Sequence, residues 1–171
     1  MKVLTSDATP EIAALLERRQ RSGLDRFDEV WEGVYHLTPG PSGPHARVDR
    51  ELSRVLSPYA EAAGLYGLSA FNLGESDRDF RVPDGGYHRM TPLGLWFSTA
   101  AVVVEILSPG DETFEKFPFY AAHDVDEILV ADPAARTVEC WRLGGGSYLQ
   151  QDRSVVLGAT MSTVQHAIRW P

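Results

Sequence analysis

A glutamate inside an apolar segment constrains this chain more than any other sequence feature. Glu105 lies within residues 101–107, AVVVEIL, and a short, continuous apolar run of this kind is typical of a strand buried on both faces. An isolated ionised carboxylate is too costly to bury there, so Glu105 must be paired, neutralised or bound to a metal. Residues 108–110, Ser-Pro-Gly, end the strand and place Glu105 near its C-terminal end, where open α/β sheets tend to bind ligands.

The bulk composition predicts an ordinary globular protein. The chain has 171 residues, of which 43% are hydrophobic and 23% are charged, as in typical soluble domains. We expect residues 1–171 to form one domain, with residues 1–24 as an N-terminal helical extension. The N-terminus lacks the apolar core of a signal peptide, and no segment approaches the roughly 18 apolar residues of a membrane span. We therefore expect a soluble cytoplasmic protein with no membrane contact.

The number of cysteines excludes a disulfide within the chain and a zinc site built from cysteines. Cys140 is the single cysteine, so neither an intrachain disulfide nor a cysteine-based zinc site is possible. Cys140 alternates with Val138 and Arg142 in a predicted strand, and we interpret it as a packing residue, not a nucleophile.

The charge balance opposes tight, non-specific binding of nucleic acid. The formal net charge is −8, whereas such binding is driven largely by cationic side chains that displace counterions. A local groove lined by arginines remains possible, and the candidates are Arg47, Arg50 and Arg54, or Arg78, Arg81 and Arg89. Only Lys2 and Lys116 of the 16 lysine and arginine residues are lysines, which favours a specific need for an ammonium at position 116.

Hydrophobic spacing and Gly/Pro breaks predict a mixed α/β (α+β) fold, with a mixed β-sheet flanked by helices. Helices are predicted over about 10–22, 45–63 and part of 111–123, and strands over 29–37, 68–73, 79–84, 101–107, 127–132 and 137–143, with a hairpin to 147–149. Residues from Val155 onward have no clear pattern. Pro118 leaves two alternatives for Lys116. A helix that begins near residue 116 lets Lys116 reach Glu105, whereas a kinked helix leaves its direction undetermined.

Several segments in this order resemble a large bacterial family of putative restriction endonucleases, formerly a domain of unknown function. The segments are residues 26–34, RFDEVWEGV; 39–45, PGPSGPH; 82–84, VPD; 103–109, VVEILSP; Lys116 with Tyr120; and 128–133, ILVADP. The resemblance covers roughly residues 25–150. It implies a restriction-endonuclease-like fold and membership of the PD-(D/E)xK nuclease superfamily.

The resemblance also implies site residues. Asp84 matches the aspartate of the PD element and Glu105 the second acid, both as ligands of the same metal. The superfamily's lysine usually follows two residues after that acid, but Leu107 stands there, so Lys116 on the following helix becomes the candidate. His45 matches a family position, and we interpret it as a capping residue or a support for the ligands in preference to a ligand.

The proposed chemistry has a physical basis without the family. Phosphodiester hydrolysis needs a hard cation that polarises the phosphoryl oxygens and activates water. Mg²⁺, or Mn²⁺ in its place, is typically held by one or two carboxylates with waters and substrate phosphate, and Asp84 and Glu105 on neighbouring strands can supply them. A nearby ammonium from Lys116 orients the attacking water or neutralises charge at phosphorus. The sequence therefore predicts a metal-dependent endonuclease with Asp84, Glu105 and Lys116 as catalytic residues, acting on nucleic acid, with DNA as the candidate partner.

Other interpretations stay open at this point. Asp84 precedes Gly85-Gly86 and fits a turn, Glu105 fits a buried salt bridge with an arginine, and Lys116 fits a helix surface. The net charge, Leu107 and Pro118 favour a catalytically silent interaction module that keeps the fold. A glycosidase with Asp84 and Glu105 as its acid–base pair is the weakest alternative. A homodimer is plausible because double-strand cleavage needs two sites and two-fold symmetry is common.

Overall fold

Two six-stranded mixed sheets and four α-helices make up residues 4–5 and 9–171, the part of the chain that this computed structural model describes. The helices are α1 (Pro10–Ser22), α2 (Gly43–Ala62), α3 (Phe117–Ala122) and α4 (Met161–Ala167), and a 3₁₀ turn spans Thr113–Lys116. None of these helices is long and apolar enough to cross a membrane. The mixed α/β fold class predicted from the sequence is thus confirmed, with two sheets where one was expected.

Twelve strands are distributed between the two sheets. They are β1 (Leu4–Thr5), β2 (Glu29–Trp31), β3 (Val34–His36), β4 (Tyr66–Ser69), β5 (Asn72–Ser76), β6 (Asp79–Arg81), β7 (Gly85–His88), β8 (Trp96–Phe97), β9 (Val102–Ile106), β10 (Glu127–Asp132), β11 (Thr137–Gly144) and β12 (Ser147–Gln151). The first sheet has the order β1-β3-β2-β6-β5-β8, and the second has the order β12-β11-β10-β9-β7-β4. In the second sheet β9 runs parallel to β10 and antiparallel to β7, which places β9 near the centre.

Strand β9 is buried along its whole length, as its apolar sequence predicts. Because side chains alternate between the faces of a strand, Val102, Val104 and Ile106 pack into one core cluster with buried residues of α2. Val103 packs into a second cluster on the opposite face, beside Tyr120 of α3. Glu105 shares the face of Val103, so the strand directs its carboxylate toward the 3₁₀ turn and α3.

The predicted strand over residues 29–37 is instead a tight hairpin of β2 and β3. Glu32 and Gly33 both adopt positive φ angles, 48° and 86°, the conformation that two-residue hairpin turns of type I′ require. Glu-Gly is a weaker signal for this turn than Asn-Gly, which explains why the sequence reads as one continuous strand.

Among the described elements, β1, β7, β8 and α4 were not predicted from the sequence. Residues 85–88 read as part of a turn after Asp84, but they form β7 in the second sheet. Gly86 is required there because a Cβ atom would lie 2.7 Å from the carbonyl oxygen of Val102. The unassigned tail contains α4, which begins after Thr160, whose hydroxyl accepts a bond from the amide of Thr163, a standard N-cap.

Cys140 is buried in β11, and we expect it to be unreactive in the native protein. Its side chain has no exposed surface, and burial raises the pKa of the thiol to about 12, with Glu127 adding to the effect. Since the thiolate is the reactive form, a disulfide reagent at pH 8 should label no thiol in the folded chain and one after unfolding in urea. Rapid labelling of the folded protein would contradict this packing role.

Candidate functional site

Strand pairing brings the two predicted acids together. Asp84 directly precedes β7, and the antiparallel register of β7 and β9 pairs Gly85 with Val104. One step further along each strand, Asp84 therefore meets Glu105. In keeping with this pairing, the backbone N–H of Ile106, the residue after Glu105, donates a 2.7 Å hydrogen bond to Oδ2 of Asp84. Both carboxylates line the same cleft.

Glu105 is held by two neighbours on its face of the sheet. Its side chain is 4% exposed, and the hydroxyl of Tyr120 donates a short hydrogen bond to Oε1. The Nζ atom of Lys116 lies 3.1 Å from Oε1 and 3.4 Å from Oε2. Burial raises the pKa of Glu105 above its ordinary value, and the charge of Lys116 opposes that rise. Tyr120 remains protonated as the donor, because burial and the adjacent Glu105 raise its pKa well above the ordinary value.

Lys116 reaches Glu105 because the helix begins where the first of the two alternatives placed it. Lys116 is the last residue of the 3₁₀ turn, and Pro118 is the second residue of α3, where proline is tolerated. Burial alone lowers the pKa of Lys116, but Glu105 and Glu29 outweigh this effect and raise it, so the side chain is a permanent cation. Leu107, where the sequence resemblance led to the expectation of a lysine, instead packs against the core cluster around Tyr120.

Glu29 is a third carboxylate of the site, buried like Glu105, and sequence reasoning missed it. Its Oε1 atom lies 2.9 Å from Nζ of Lys116 and accepts a 2.8 Å bond from the amide of Val82. Its Oε2 atom accepts a 2.7 Å bond from the indole N–H of Trp31. The available signal was strand alternation, which places Glu29 on the same face as Trp31 in β2, but nothing in the sequence indicates which side chain Glu29 meets.

His45 supports Asp84, as the sequence interpretation proposed. It lies in the first turn of α2, with Nε2 2.9 Å from Oδ1 of Asp84 and Nδ1 3.2 Å from Oγ of Ser108. Burial lowers the pKa of His45, but the bond to Asp84 and the negative charges of Asp84, Asp49 and Asp111 together outweigh this effect and leave the pKa raised overall. An N–H at Nε2 donates to the carboxylate, which fixes the orientation of Asp84 at the floor of the cleft.

The cleft has a volume of about 460 Å³ and is bounded by two loops. Residues 38–42 and 108–111 line the cleft together with the carboxylates of Glu29, Asp84 and Glu105, although residue 111 is itself an aspartate. Within the described chain, Lys116 is the only lysine or arginine that lines this cleft. A second, larger cavity of about 700 Å³ shares Val82 with the lining of the cleft. Its lining is mainly apolar and includes none of the predicted site residues.

None of the arginines that could form a groove lines this cleft. Arg54 bonds Glu51 and the carbonyl oxygen of Ala167, and Arg89 bonds Asp126. Arg81 is buried, and its guanidinium stacks 4.5 Å from the ring centre of Trp31.

The donor set of the cleft fits a hard divalent cation. No group of three or more His, Cys, Asp or Glu residues in the described part of the chain is arranged to enclose a metal ion. Asp84 and Glu105 nevertheless offer carboxylate oxygens on one open cleft, and Mg²⁺ is commonly bound by one or two carboxylates, with waters and substrate filling the other positions. Such a site differs from an all-protein cage, so the absence of a three-ligand cluster is compatible with it.

Known proteins provide an independent comparison for this arrangement. The sequence profile of the family Uma2, described as putative restriction endonuclease, matches residues 15–166. No curated protein matches closely enough to count as a relative. The fold is similar to that of a protein from Anabaena variabilis ATCC 29413, described as a putative nuclease belonging to DUF820, with 16% sequence identity and a TM-score of 0.64 over 82% of this chain and 90% of the other. Since the profile spans most of the sequence, the resemblance is confirmed, and the chain belongs to the Uma2 family of putative restriction endonucleases.

Proposed function

We propose that this protein is a metal-dependent nuclease that hydrolyses phosphodiester bonds of nucleic acid. The observation that carries the proposal is the buried carboxylate of Glu105, which meets Lys116 at 3.1 Å and shares an open cleft with Asp84. Burying an ion pair of this kind contributes little to stability, so the arrangement is better explained by a functional role. Family membership supports the same class of activity.

Each side chain has a defined role in this proposal. Asp84 and Glu105 hold Mg²⁺ or Mn²⁺, which supplies charge stabilisation at the phosphoryl oxygens. His45 and Tyr120 orient these two carboxylates through the bonds they donate to Asp84 and Glu105. Lys116 has three N–H donors, and the one not used by its two carboxylate partners is directed by them toward water or phosphate in the cleft.

The alternative function is an interaction module without catalysis. That alternative expects carboxylates turned apart, or a lysine pointing into solvent. Asp84 and Glu105 instead line one cleft, and the Lys116 side chain is 11% exposed. The geometry therefore favours the catalytic proposal, while the acidic net charge of −8 remains the best argument for the alternative.

DNA is the proposed substrate, and a homodimer is the proposed arrangement for cutting both strands. Two copies related by a two-fold axis would present one cleft to each strand. Because the cleft contains Lys116 but no arginine, we infer that the divalent cation supplies most of the positive charge that phosphate meets there.

The first experiment is a calorimetric titration of Mn²⁺ into the wild-type protein and the Glu105→Gln variant. We expect one binding event in the wild type and a loss of at least about tenfold in affinity in the variant, since altering the residues that support a metal site already costs about 10–100-fold. Glu139→Gln is a matched control. Glu139 is also a strand glutamate whose carboxylate accepts a side-chain hydrogen bond, here from the indole N–H of Trp141, but it does not line the cleft.

Three results are informative. Loss of binding in Glu105→Gln with retention in Glu139→Gln supports the metal site and justifies screening DNA and RNA substrates. Equal affinity in all three proteins would exclude Glu105 as a ligand. Absence of binding in the wild type would favour the interaction module, and a protein partner should then be sought.

A further inference from the structure

We propose that Glu29 is a positioning residue that draws Lys116 toward itself and so leaves the Glu105 carboxylate available to a divalent cation. The inference rests on the proposed function, because it assumes that Glu105 is a metal ligand. The proposed function requires Glu105 to be free to bind the metal ion although Lys116 lies beside it. An ammonium 3.1 Å from Glu105 competes with a metal ion for the same oxygen atoms.

Lys116 has a second carboxylate partner, Glu29, besides Glu105. Nζ lies 2.9 Å from Oε1 of Glu29 and 3.1 Å from Oε1 of Glu105, so the ammonium is shared between two buried carboxylates. When Glu105 binds a cation, the ammonium can remain paired with Glu29 by a small displacement of the end of its side chain. The negative charge of Glu29 then compensates the buried ammonium of Lys116, as a buried charge requires. Lys116 also stays beside the metal site in the cleft.

Glu29 is suited to this role because its own position is fixed. Oε1 accepts the amide of Val82 at 2.8 Å, and Oε2 accepts the indole N–H of Trp31 at 2.7 Å. Every oxygen atom of Glu29 is therefore engaged, Oε1 by two donors. A carboxylate held in this way cannot follow the ammonium toward Glu105, and it is a poor candidate for a third metal ligand.

The charges of the site agree with this assignment. Three carboxylates act on the ammonium of Lys116, those of Glu105, Glu29 and Asp84. Asp111 also lines the cleft, but its oxygen atoms accept the N–H groups of Ser108 and Thr113. Leaving aside Asp111 and His45, which pairs with Asp84, a divalent cation brings the sum of the other charges to zero, whereas without Glu29 the loaded site would carry an uncompensated positive charge. The negative charge of Glu29 therefore allows the site to hold the ammonium of Lys116 and the metal ion at the same time.

A double-mutant cycle on Mn²⁺ affinity tests the inference without any need for a substrate. Calorimetry compares the wild type, Glu29→Gln, Lys116→Met and the double variant. If Glu29 acts through Lys116, Glu29→Gln weakens binding strongly when the lysine is present and only slightly when it is absent. We expect the two effects to differ by at least about fivefold, the lower end of typical coupling between linked sites.

The cycle separates this role from a structural one. Glutamine offers one oxygen where glutamate offers two, so Glu29→Gln disturbs its bonds to Val82 or Trp31 in both backgrounds, and that disturbance cancels in the comparison. Circular dichroism establishes that each variant is folded. If Lys116→Met does not fold, Lys116→Gln serves as the second background, because its amide removes the charge but keeps a donor.

The outcomes distinguish this inference from the function on which it rests. A smaller effect of Glu29→Gln in the lysine-free background supports the positioning role. An equal effect in both backgrounds overturns it, since Glu29 would then act directly on the metal ion or on the fold, while the proposed function stands. No Mn²⁺ binding by the folded wild type overturns both.

Discussion

Lys116→Met is expected to lower the free energy of unfolding by about 3–5 kcal/mol, the usual cost of removing one partner from a buried ion pair. The variant keeps most of the volume of the side chain but leaves Glu29 and Glu105 facing each other without a cation. Their side chains are 6% and 4% exposed, so water can compensate for little of the lost charge. Urea denaturation at pH 7, monitored by circular dichroism, measures the change.

Two controls make this prediction specific to the charge. Lys116→Gln keeps a hydrogen-bond donor and should lose less stability than Lys116→Met. Mn²⁺ should stabilise Lys116→Met more than the wild type, because the ion replaces the missing positive charge and a ligand that binds only the folded state stabilises it by mass action. A loss below about 1 kcal/mol, as for exposed ion pairs, or equal stabilisation of both proteins by Mn²⁺, would contradict the account.

Glu105 could be singled out from the sequence because it violates a local rule, whereas Asp84 was assigned to the candidate site by the family resemblance. Glu105 interrupts an apolar strand, where a charge is costly unless it has a partner, and the structure buries it as expected. Asp84 follows proline and precedes two glycines, a pattern that also fits a turn. Lys116 is one of two lysines in the chain, but Pro118 left two alternatives for its direction, and only the structure shows that its ammonium reaches Glu105.

The partners of these residues could not be predicted because they are set by strand register and distant contacts. Glu29 meets Lys116 only after β2 and the 3₁₀ turn have been brought together by the fold. His45 meets Asp84 only because α2 begins beside the end of the β6–β7 segment. Nothing in the local sequence of Glu29 or His45 specifies either contact, although strand alternation and the helix start constrain the face on which each side chain lies.

The difference between local sequence patterns and distant contacts also explains which elements of the fold were predicted correctly. Helix α2 and strands β9, β10 and β11 have strong hydrophobic patterns and were predicted close to their observed bounds. Strand β7 was missed because Gly85-Gly86 resembles a turn, although Gly86 is needed for its close approach to β9. Tertiary pairing overrides local propensity there, and it does so at the strand that positions Asp84.

A comparison of Asp84→Asn with Asp84→Ala is expected to separate the ligand role of Asp84 from its structural role. Both variants should lose Mn²⁺ binding, and hydrolysis of a substrate should fall by at least about a thousandfold, since metal ions supply several kcal/mol of transition-state stabilisation and each tenfold in rate is about 1.4 kcal/mol. Stability should differ between them. Asparagine can still accept the N–H of Ile106 and place its amide against His45, which can accept in its other tautomer.

Alanine offers neither bond, so the buried N–H of Ile106, paired with Asp84 at 2.7 Å in the wild type, loses its acceptor. An unsatisfied buried donor costs about 1–3 kcal/mol, and Asp84→Ala should be less stable than Asp84→Asn by that amount in urea denaturation. Calorimetry then reports the ligand role and denaturation the structural one. If Asp84→Asn retained wild-type affinity for Mn²⁺ while Asp84→Ala lost it, Asp84 would be a residue that shapes the cleft without binding the ion, and Glu105 would need a different partner for the metal.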